Sequence, residues 1–381
     1  MGYSRRMKIV VFGTCDTGKP RARILLSALR AQGVQVDECL TNPWANIEDK
    51  SQVHGITAKL QLLMRWLGAY PSLIWRYLRL PKHDLVFVGY PGLIDVFVIW
   101  PLARLRGVPV TWDIFISLYN TVVEDRRMLS PANPLARLLH GMEYLALRLV
   151  DLAIIDTEAH AEYIRKTWKR PTRLVTSVPV GAEPAIFPPA DPAPARDGFR
   201  VLFYGQFIPL HGVDTIARAA ALTSNDVIWT VIGKGQEQHR FAELLDMLRP
   251  PRLEWLEWVD YAALRDHLNA CDVALGIFGD SDKAARVIPN KVYQILMTGR
   301  PLITRDSPAI RELLGDAPDR RLIPPADPRA LADAIHEMRA RARAPGWRCG
   351  PHHQDIRDAI GPRAIGARLV TLLRTVIEAQ A

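Results

Sequence analysis

Short apolar runs alternate along the chain with stretches whose apolar residues recur at three- and four-residue spacing. In the first half the runs are KIVVFG (8–13), VQVDECL (34–40), HDLVFVGY (83–90), GVPVTWDI (107–114), DLAIID (151–156) and RLVTSVPVG (173–181). Segments such as ARILLSALRAQG and LARLLHGMEYLALRLV lie between them and read as helices. Strand, helix, strand in this rhythm predicts a parallel sheet covered on both faces. The proline-rich passage PAIFPPADPAPARDG (184–198) can continue neither a helix nor a central strand, so it marks a linker. The rhythm restarts with FRVLFYGQF (199–207), VIWTVIGKG (227–235), LEWLEWV (253–259), DVALGIF (272–278) and PLITRD (301–306). The expected organisation is a first domain over 1–183, the linker over 184–198, a second domain over 199–354 and a helical tail over 355–381.

LVFVGYPGLIDVFVIWPLA (85–103) is nineteen residues with a single charge, long enough to suggest a membrane span. Pro91-Gly92 divides it, and Asp95 would be expensive in lipid, so it reads as a strand followed by a helix.

Charge adds information about partners. Of the formal +9, residues 1–185 hold 24 Lys/Arg against 16 Asp/Glu, whereas residues 186–381 hold 25 against 24. The surplus therefore belongs to the first half and speaks to what that half meets. Lys59, Arg65, Arg76, Arg79 and Lys82 fall in a stretch without any acid, interleaved with Trp66, Tyr70, Trp75 and Tyr77. Leu and Trp in long helical runs suit an anionic headgroup layer better than a nucleic acid groove, with a buried helix and snorkelling arginines as the alternative. No signal peptide is evident in MGYSRRMKIVVF. The four cysteines, Cys15, Cys39, Cys271 and Cys349, lie far apart without metal-ligand spacing, which fits a reducing cytoplasm.

Candidate chemistry sits at the turns. GTCDTGKP (13–20) has the spacing of a nucleotide-binding P-loop, but Pro20 stands where a magnesium-binding hydroxyl is needed, which argues against the ATPase reading. Gly13 and Gly18 remain candidates for exposing amides to a phosphate or sugar, against a simple tight turn. In the second half VIGKG places Gly233 and Lys234 after a strand, and FYGQFIPLHG places Gly205, Gln206 and His211 likewise. In RVIPNKVYQILMTG, Pro289 opens a helix, leaving the amides of Asn290 and Lys291 free and adding the Lys291 charge, with Ile288 just before and Gln294 one turn on. A helix N-terminus with a cation suits a diphosphate.

These pieces carry a resemblance. VTSVPVGAEPAIFPP, FYGQFIPLHGVDTIARAA, VIGKG, LEWLEWVDYAALRDHLNACDVALGIF and ILMTGRPLITRDSPAIRELL occur in the order of the corresponding segments of family 4 glycosyltransferases, with Glu312 at an acidic position of the last. The chain resembles that family over nearly its whole length, most densely after residue 174. The resemblance implies the GT-B fold, two Rossmann-like α/β domains facing across a cleft, with the C-terminal helix returning to the first. It also implies retaining transfer from a nucleoside diphosphate sugar, with donor on the second domain, acceptor on the first, and neither metal nor other cofactor. The family's arginine and lysine for the diphosphate fall on Gln206 and His211, and its E-x(7)-E pair falls on Arg286 and Gln294. These departures shift the expected phosphate charge to Arg286 and Lys291. Asp113, ending the TWDIF strand where the family often has a histidine, is expected either to contact a sugar or acceptor hydroxyl or to serve as a structural cap. His160 reads as a satisfied loop histidine, and adjacent His352 and His353 lack spaced partners for a metal. Function is thereby expected to be sugar transfer to a lipid-linked or polysaccharide acceptor at the cytoplasmic membrane face. A noncatalytic nucleotide-sugar-binding partner, or an epimerase or phosphorylase-like enzyme of the same fold, is the alternative.

Overall fold

The computed structural model describes residues 6–15, 17–43, 56–171, 174–189, 197–343 and 352–380, without the side chains of residues 56–60, 63, 261 and 262. Asp16, Cys349, residues 1–5 and residues 190–196 of the linker lie outside this set, as does the Lys59 side chain. Contacts divide the chain into two units, 1–180 with 362–381, and 181–361.

The first unit begins β1 (Lys8–Gly13), α1 (Pro20–Ala31), β2 (Gln35–Leu40), α2 (Ile56–Arg79), β3 (Leu85–Val88) and α3 (Leu93–Leu105). It continues β4 (Val110–Asp113), α4 (Pro134–Leu149), β5 (Leu152–Ile155), α5 (Glu158–Trp168) and β6 (Val175–Ser177). Its strands form one parallel sheet in the order β2-β1-β3-β4-β5-β6. Strands β3, β4 and β5 are buried at every residue, which is why β3 and β5 read as unbroken apolar runs, while β4 carries Thr111 and ends on Asp113. Right-handed crossovers in this order put α1 on one face and α2 through α5 on the other. Accordingly Leu73, Tyr77, Val96, Ile99, Ala146, Leu147 and Trp168 share a core with Val10, Phe12, Val88 and Trp112. The stretch that resembled a membrane span is β3, a turn and α3, and among the described residues no helix is long and apolar enough to cross a membrane.

The second unit runs β7 (Phe199–Tyr204), α6 (Val213–Leu222), β8 (Val227–Ile232), α7 (Gln238–Leu248), β9 (Leu253–Leu256), α8 (Tyr261–Ala270) and β10 (Val273–Leu275). Next come α9 (Asp282–Arg286), α10 (Asn290–Thr298), β11 (Leu302–Arg305), α11 (Pro308–Arg311), β12 (Arg320–Ile323), α12 (Pro328–Ala342) and α13 (Gln354–Ile360). Its parallel sheet has the order β12-β11-β10-β7-β8-β9. Strand β12 was not expected from the sequence. It is an edge strand opening on Arg320 and Arg321, which pair with Asp355 and Glu337, so it lacks an apolar run.

The tail of the chain, α14 (Pro362–Glu378), belongs to the first unit and packs on α1. Gly366 makes this possible, because a Cβ there would lie 2.4 Å from the Ala28 carbonyl oxygen. Gln32 Nε2 donates to the Arg363 carbonyl (2.9 Å), and Arg368 donates to Ser177 Oγ (3.0 Å).

Candidate active site

Ligands of open parallel sheets gather at the strand C-terminal ends. At that rim of the second unit three turns knit together around glycines. After β7, Gly205 (φ 147°) donates to the Ile232 carbonyl. After β8, Gly233 (φ 153°) comes so near that an added Cβ would lie 1.9 Å from the Gly205 oxygen. Phe207 N donates to Lys234 O (2.9 Å), and Glu237 N donates back to Phe207 O (2.9 Å). The turn after β10 joins through Phe278 N to His211 O (3.1 Å) and Gly279 N to Leu210 O (3.2 Å). Gln206 and Lys234 are exposed on this rim.

Into this knot α10 delivers Lys291. Pro289 caps the helix with extended backbone, and Gly299 (φ 70°) ends it. Lys291 is 5% exposed, and its Nζ lies 3.8 Å from the centre of the Phe203 ring. Among the described residues no hydrogen-bond partner meets this Nζ. A Cβ on Gly205 would lie 2.7 Å from Nζ and 2.9 Å from His211 Cε1, so the glycine is what gives the amine its place. Burial drives the Lys291 amine well below the usual lysine range, and among the described residues no carboxylate offsets it. Beside it His211 Nδ1 contacts the Gln206 carbonyl and therefore carries the proton, turning Nε2 into the acceptor of the neutral ring. Burial, and then the neighbouring Lys291, hold His211 well below an ordinary histidine.

Other expected residues cluster nearby in the chain. Tyr204 OH donates to Gln294 Oε1 (3.0 Å), fixing that amide against β7. Asn290 and Arg286 are half-buried, the latter ending α9, and Ile288 is buried. Glu312 is exposed beyond α11. His353 is buried with Nε2 donating to the Arg300 carbonyl (2.8 Å), and burial pushes it down to about 4. Among the described residues no group of three His, Cys, Asp or Glu could hold a metal.

At the rim of the first unit the glycine turn closes on a carboxylate. Asp95 Oδ2 accepts from Thr14 N (3.0 Å) and Thr14 Oγ1 (3.0 Å), while Oδ1 accepts from Tyr70 OH (3.0 Å). Gly13 (φ 131°) is required here, since a Cβ would lie 2.7 Å from Asp95 Oδ2. The Thr14 amide is thus spent on Asp95, and the exposed Gly18 offers its carbonyl to Arg23. Burial raises Asp95 to about 6 despite these donors.

Asp113 ends β4 at 1% exposure. Both its oxygens accept from Arg21, at 2.7 Å from Nη2 and 3.1 Å from Nε, and Arg21 Nη1 donates to Val178 O at 2.6 Å. Burial drives this carboxyl up, and the Arg21 fork opposes it. His160 pairs with Asp156 (2.7 Å), and its Nε2 has no hydrogen-bond partner among the described residues. Sequence reasoning passed over Arg21, Asp95, Phe203 and Tyr204. Their partners lie far along the chain, 92 residues for Arg21 and Asp113, and no local spacing announces them.

Comparison with known proteins agrees with this architecture. Residues 18–181 match the model of the "Glycosyl transferase 4-like domain", and residues 198–340 match that of "Glycosyl transferases group 1". No curated protein matches the sequence. Among solved structures, sucrose-phosphate synthase from Thermosynechococcus elongatus superposes with a TM-score of 0.70 at 18% identity, over 98% of this chain and 100% of the other. Anabaena HepE in complex with UDP gives 0.66 at 12% identity, over 97% and 100%. The apo form of the lipopolysaccharide outer core galactosyltransferase WaaB gives 0.64 at 13% identity, over 97% and 99%. With both sheets, both family matches and these whole-chain superpositions in place, the chain belongs to the group 1, family 4-like glycosyltransferases of GT-B fold.

Proposed function

We propose that this glycosyltransferase moves a sugar, with retention, from a nucleoside diphosphate sugar to a lipid-linked or polysaccharide-type acceptor at the cytoplasmic face of a membrane. The observation that carries the reading is Lys291, a buried amine without a hydrogen-bond partner among the described residues, at the rim where three glycine turns meet. An unsatisfied buried amine is costly, so natural folds keep one where a ligand completes it. Donor phosphate is the ligand whose charge suits it. HepE, a fold relative, is described in complex with UDP and with UDP-glucose, which supports the same donor class here.

In this reading the donor lies on the second unit. The Asn290 and Lys291 amides, Lys291 and Arg286 stabilise charge on the departing diphosphate, with Gln206, His211, Gly233 and Lys234 around it. Gln294 holds the site's wall through Tyr204. The acceptor lies on the first unit, near Gly13 and Gly18, where Asp113 acts through Arg21 by fixing the rim rather than touching substrate. Neither metal nor cofactor has a part in the reaction, and the leaving phosphate itself takes the acceptor proton. Residues 59–82 meet the anionic surface, supported by exposed Met64, Leu67, Trp75 and Leu78 on α2.

A second reading, a noncatalytic nucleotide-sugar-binding partner, draws on Arg286 and Gln294 standing where the family has its acidic pair. Release of nucleoside diphosphate separates the two. Release that rises with added lipid-linked acceptor supports transfer. Binding of donor without any release under all acceptors supports the partner role.

A further inference from the structure

The outward surface of the helical layer formed by α2, α3 and α4 has an inverted character. On α4 the exposed residues are Pro134, Leu135, Arg137, Leu138, Gly141, Tyr144, Leu145 and Arg148, a set with apolar and cationic members and no acid. Leu135 is 61% exposed and Leu138 59%. The helix's one acid, Glu143, points inward, where it accepts from Ser117 Oγ (2.8 Å) and Leu118 N (2.6 Å). Arg148 lies over the Tyr144 ring at 4.5 Å. On α2 the outward set repeats the pattern, with Met64, Leu67, Trp75 and Leu78 beside Arg65 and Arg79, and Arg79 lies over the Trp75 ring at 3.6 Å. Between them α3 shows Pro101, Arg104 and Leu105, and its one acid, Asp95, is buried. Nearby Asp151 is taken by Arg104 (3.3 Å). A helix layer that hides its acids and exposes leucine with arginine lacks the solvated outer face of an ordinary α/β unit.

We infer that α4 is a second membrane contact, so that the whole outer face of the α2–α3–α4 layer docks on anionic lipid. Charge complementarity selects this occupant. The surplus of eight positive charges lies in residues 1–185, and exposed Arg79, Arg137 and Arg148 stand on helices that expose no acid among the described residues. Because these helices lie on one face of the sheet, beside α5 with its exposed Glu158 and Glu162, docking lays the α2–α4 part of the sheet along the bilayer, with its strand C-terminal rim opening sideways over the headgroups. A lipid-linked acceptor then reaches that rim by lateral diffusion. The inference rests on the membrane-facing reading above and extends it from residues 59–82 to 134–149.

The test is co-sedimentation of the full chain with phosphatidylcholine vesicles containing phosphatidylglycerol, and with phosphatidylcholine alone. Wild type is expected to partition to the anionic vesicles. Leu135→Glu with Leu138→Glu is expected to lower that partition about tenfold or more although α2 is untouched. Leu222→Glu, an exposed position on the second unit, serves as the control and is expected to change nothing. Unchanged melting of each variant shows that the fold is retained. If the α4 pair leaves partition intact while Met64→Glu with Trp75→Glu abolishes it, α2 docks alone and the inference fails while the membrane reading stands. Wild type that ignores anionic vesicles overturns both. A wild-type dimer by light scattering that the α4 pair makes monomeric, without lipid binding, shows the face to be a self-association surface instead.

Discussion

Replacing Lys291 by methionine separates stability from function. The amine is buried without a hydrogen-bond partner among the described residues, and a buried polar group left unsatisfied costs about 1–3 kcal/mol. Methionine has similar length, keeps the contact with Phe203, and removes that cost. Lys291→Met is therefore expected to stabilise the second unit by about 1–2 kcal/mol at neutral pH, a rise in melting temperature of about 2–8 °C for a unit of this size. The pH dependence has a definite sign. The folded lysine is held well below its unfolded value, so at intermediate pH the unfolded chain binds the extra proton. The resulting penalty is fully present below the folded value and disappears as pH rises through the unfolded one, about 10.4. The gap between variant and wild type therefore narrows as pH rises from 7 toward 10. Nucleotide binding moves oppositely. Loss of one charge-assisted contact, about 1.5–3 kcal/mol, weakens nucleoside diphosphate binding roughly tenfold or more. Calorimetric melts at pH 7 and pH 9.5, with and without UDP, read both effects. A variant that is less stable than wild type at pH 7 would show that the buried amine carries no stability cost, and one that retains full nucleotide stabilisation would show that Lys291 does not bind the diphosphate.

Three further outcomes follow from buried groups. Asp95→Asn keeps an oxygen for Thr14 but loses the carboxyl that burial raises to about 6. The folded wild type holds its proton more tightly than the unfolded chain, so ionisation costs it stability as pH rises from 4 to 7. Relative to wild type the variant is thus expected to gain roughly 2–3 kcal/mol over that interval in urea melts, from about two pH units at 1.36 kcal/mol each. Arg21→Met strands a buried Asp113 and is expected to cost about 3–5 kcal/mol, most of it recovered by adding Asp113→Leu, as a double-mutant cycle of denaturation measures. Gly366→Val drives a side chain onto the Ala28 carbonyl and is expected to cost about 1–3 kcal/mol, with α14 becoming the first site of limited proteolysis.

Much of this fold is legible because a parallel sheet buried on both faces writes its strands as unbroken apolar runs. LVFV and LAII could hardly be anything else between helical stretches. Strand β12 escaped since an edge strand with two arginines carries no such run. Lys291 was legible as a candidate from its place after Pro289, because a proline followed by a helix is a local signal. Its burial against Phe203 and Gly205 was not, since they stand more than 80 positions earlier. The GTCDTGKP turn shows the same limit. Its glycines announce backbone close to something, and only the fold reveals that the something is Asp95. Likewise the apolar spacing of LARLLHGMEYLALRLV reads as one buried stripe, whereas α4 carries a second apolar stripe outward and turns Glu143 in.

The most direct test of the donor site is isothermal titration of the full chain with UDP, GDP, ADP and dTDP, repeated on Lys291→Met. A Lys291 amine that holds the donor diphosphate requires one diphosphate to bind wild type selectively and to bind the variant at least about tenfold more weakly. No binding by any of the four to wild type, or equal affinity for wild type and variant, would contradict it.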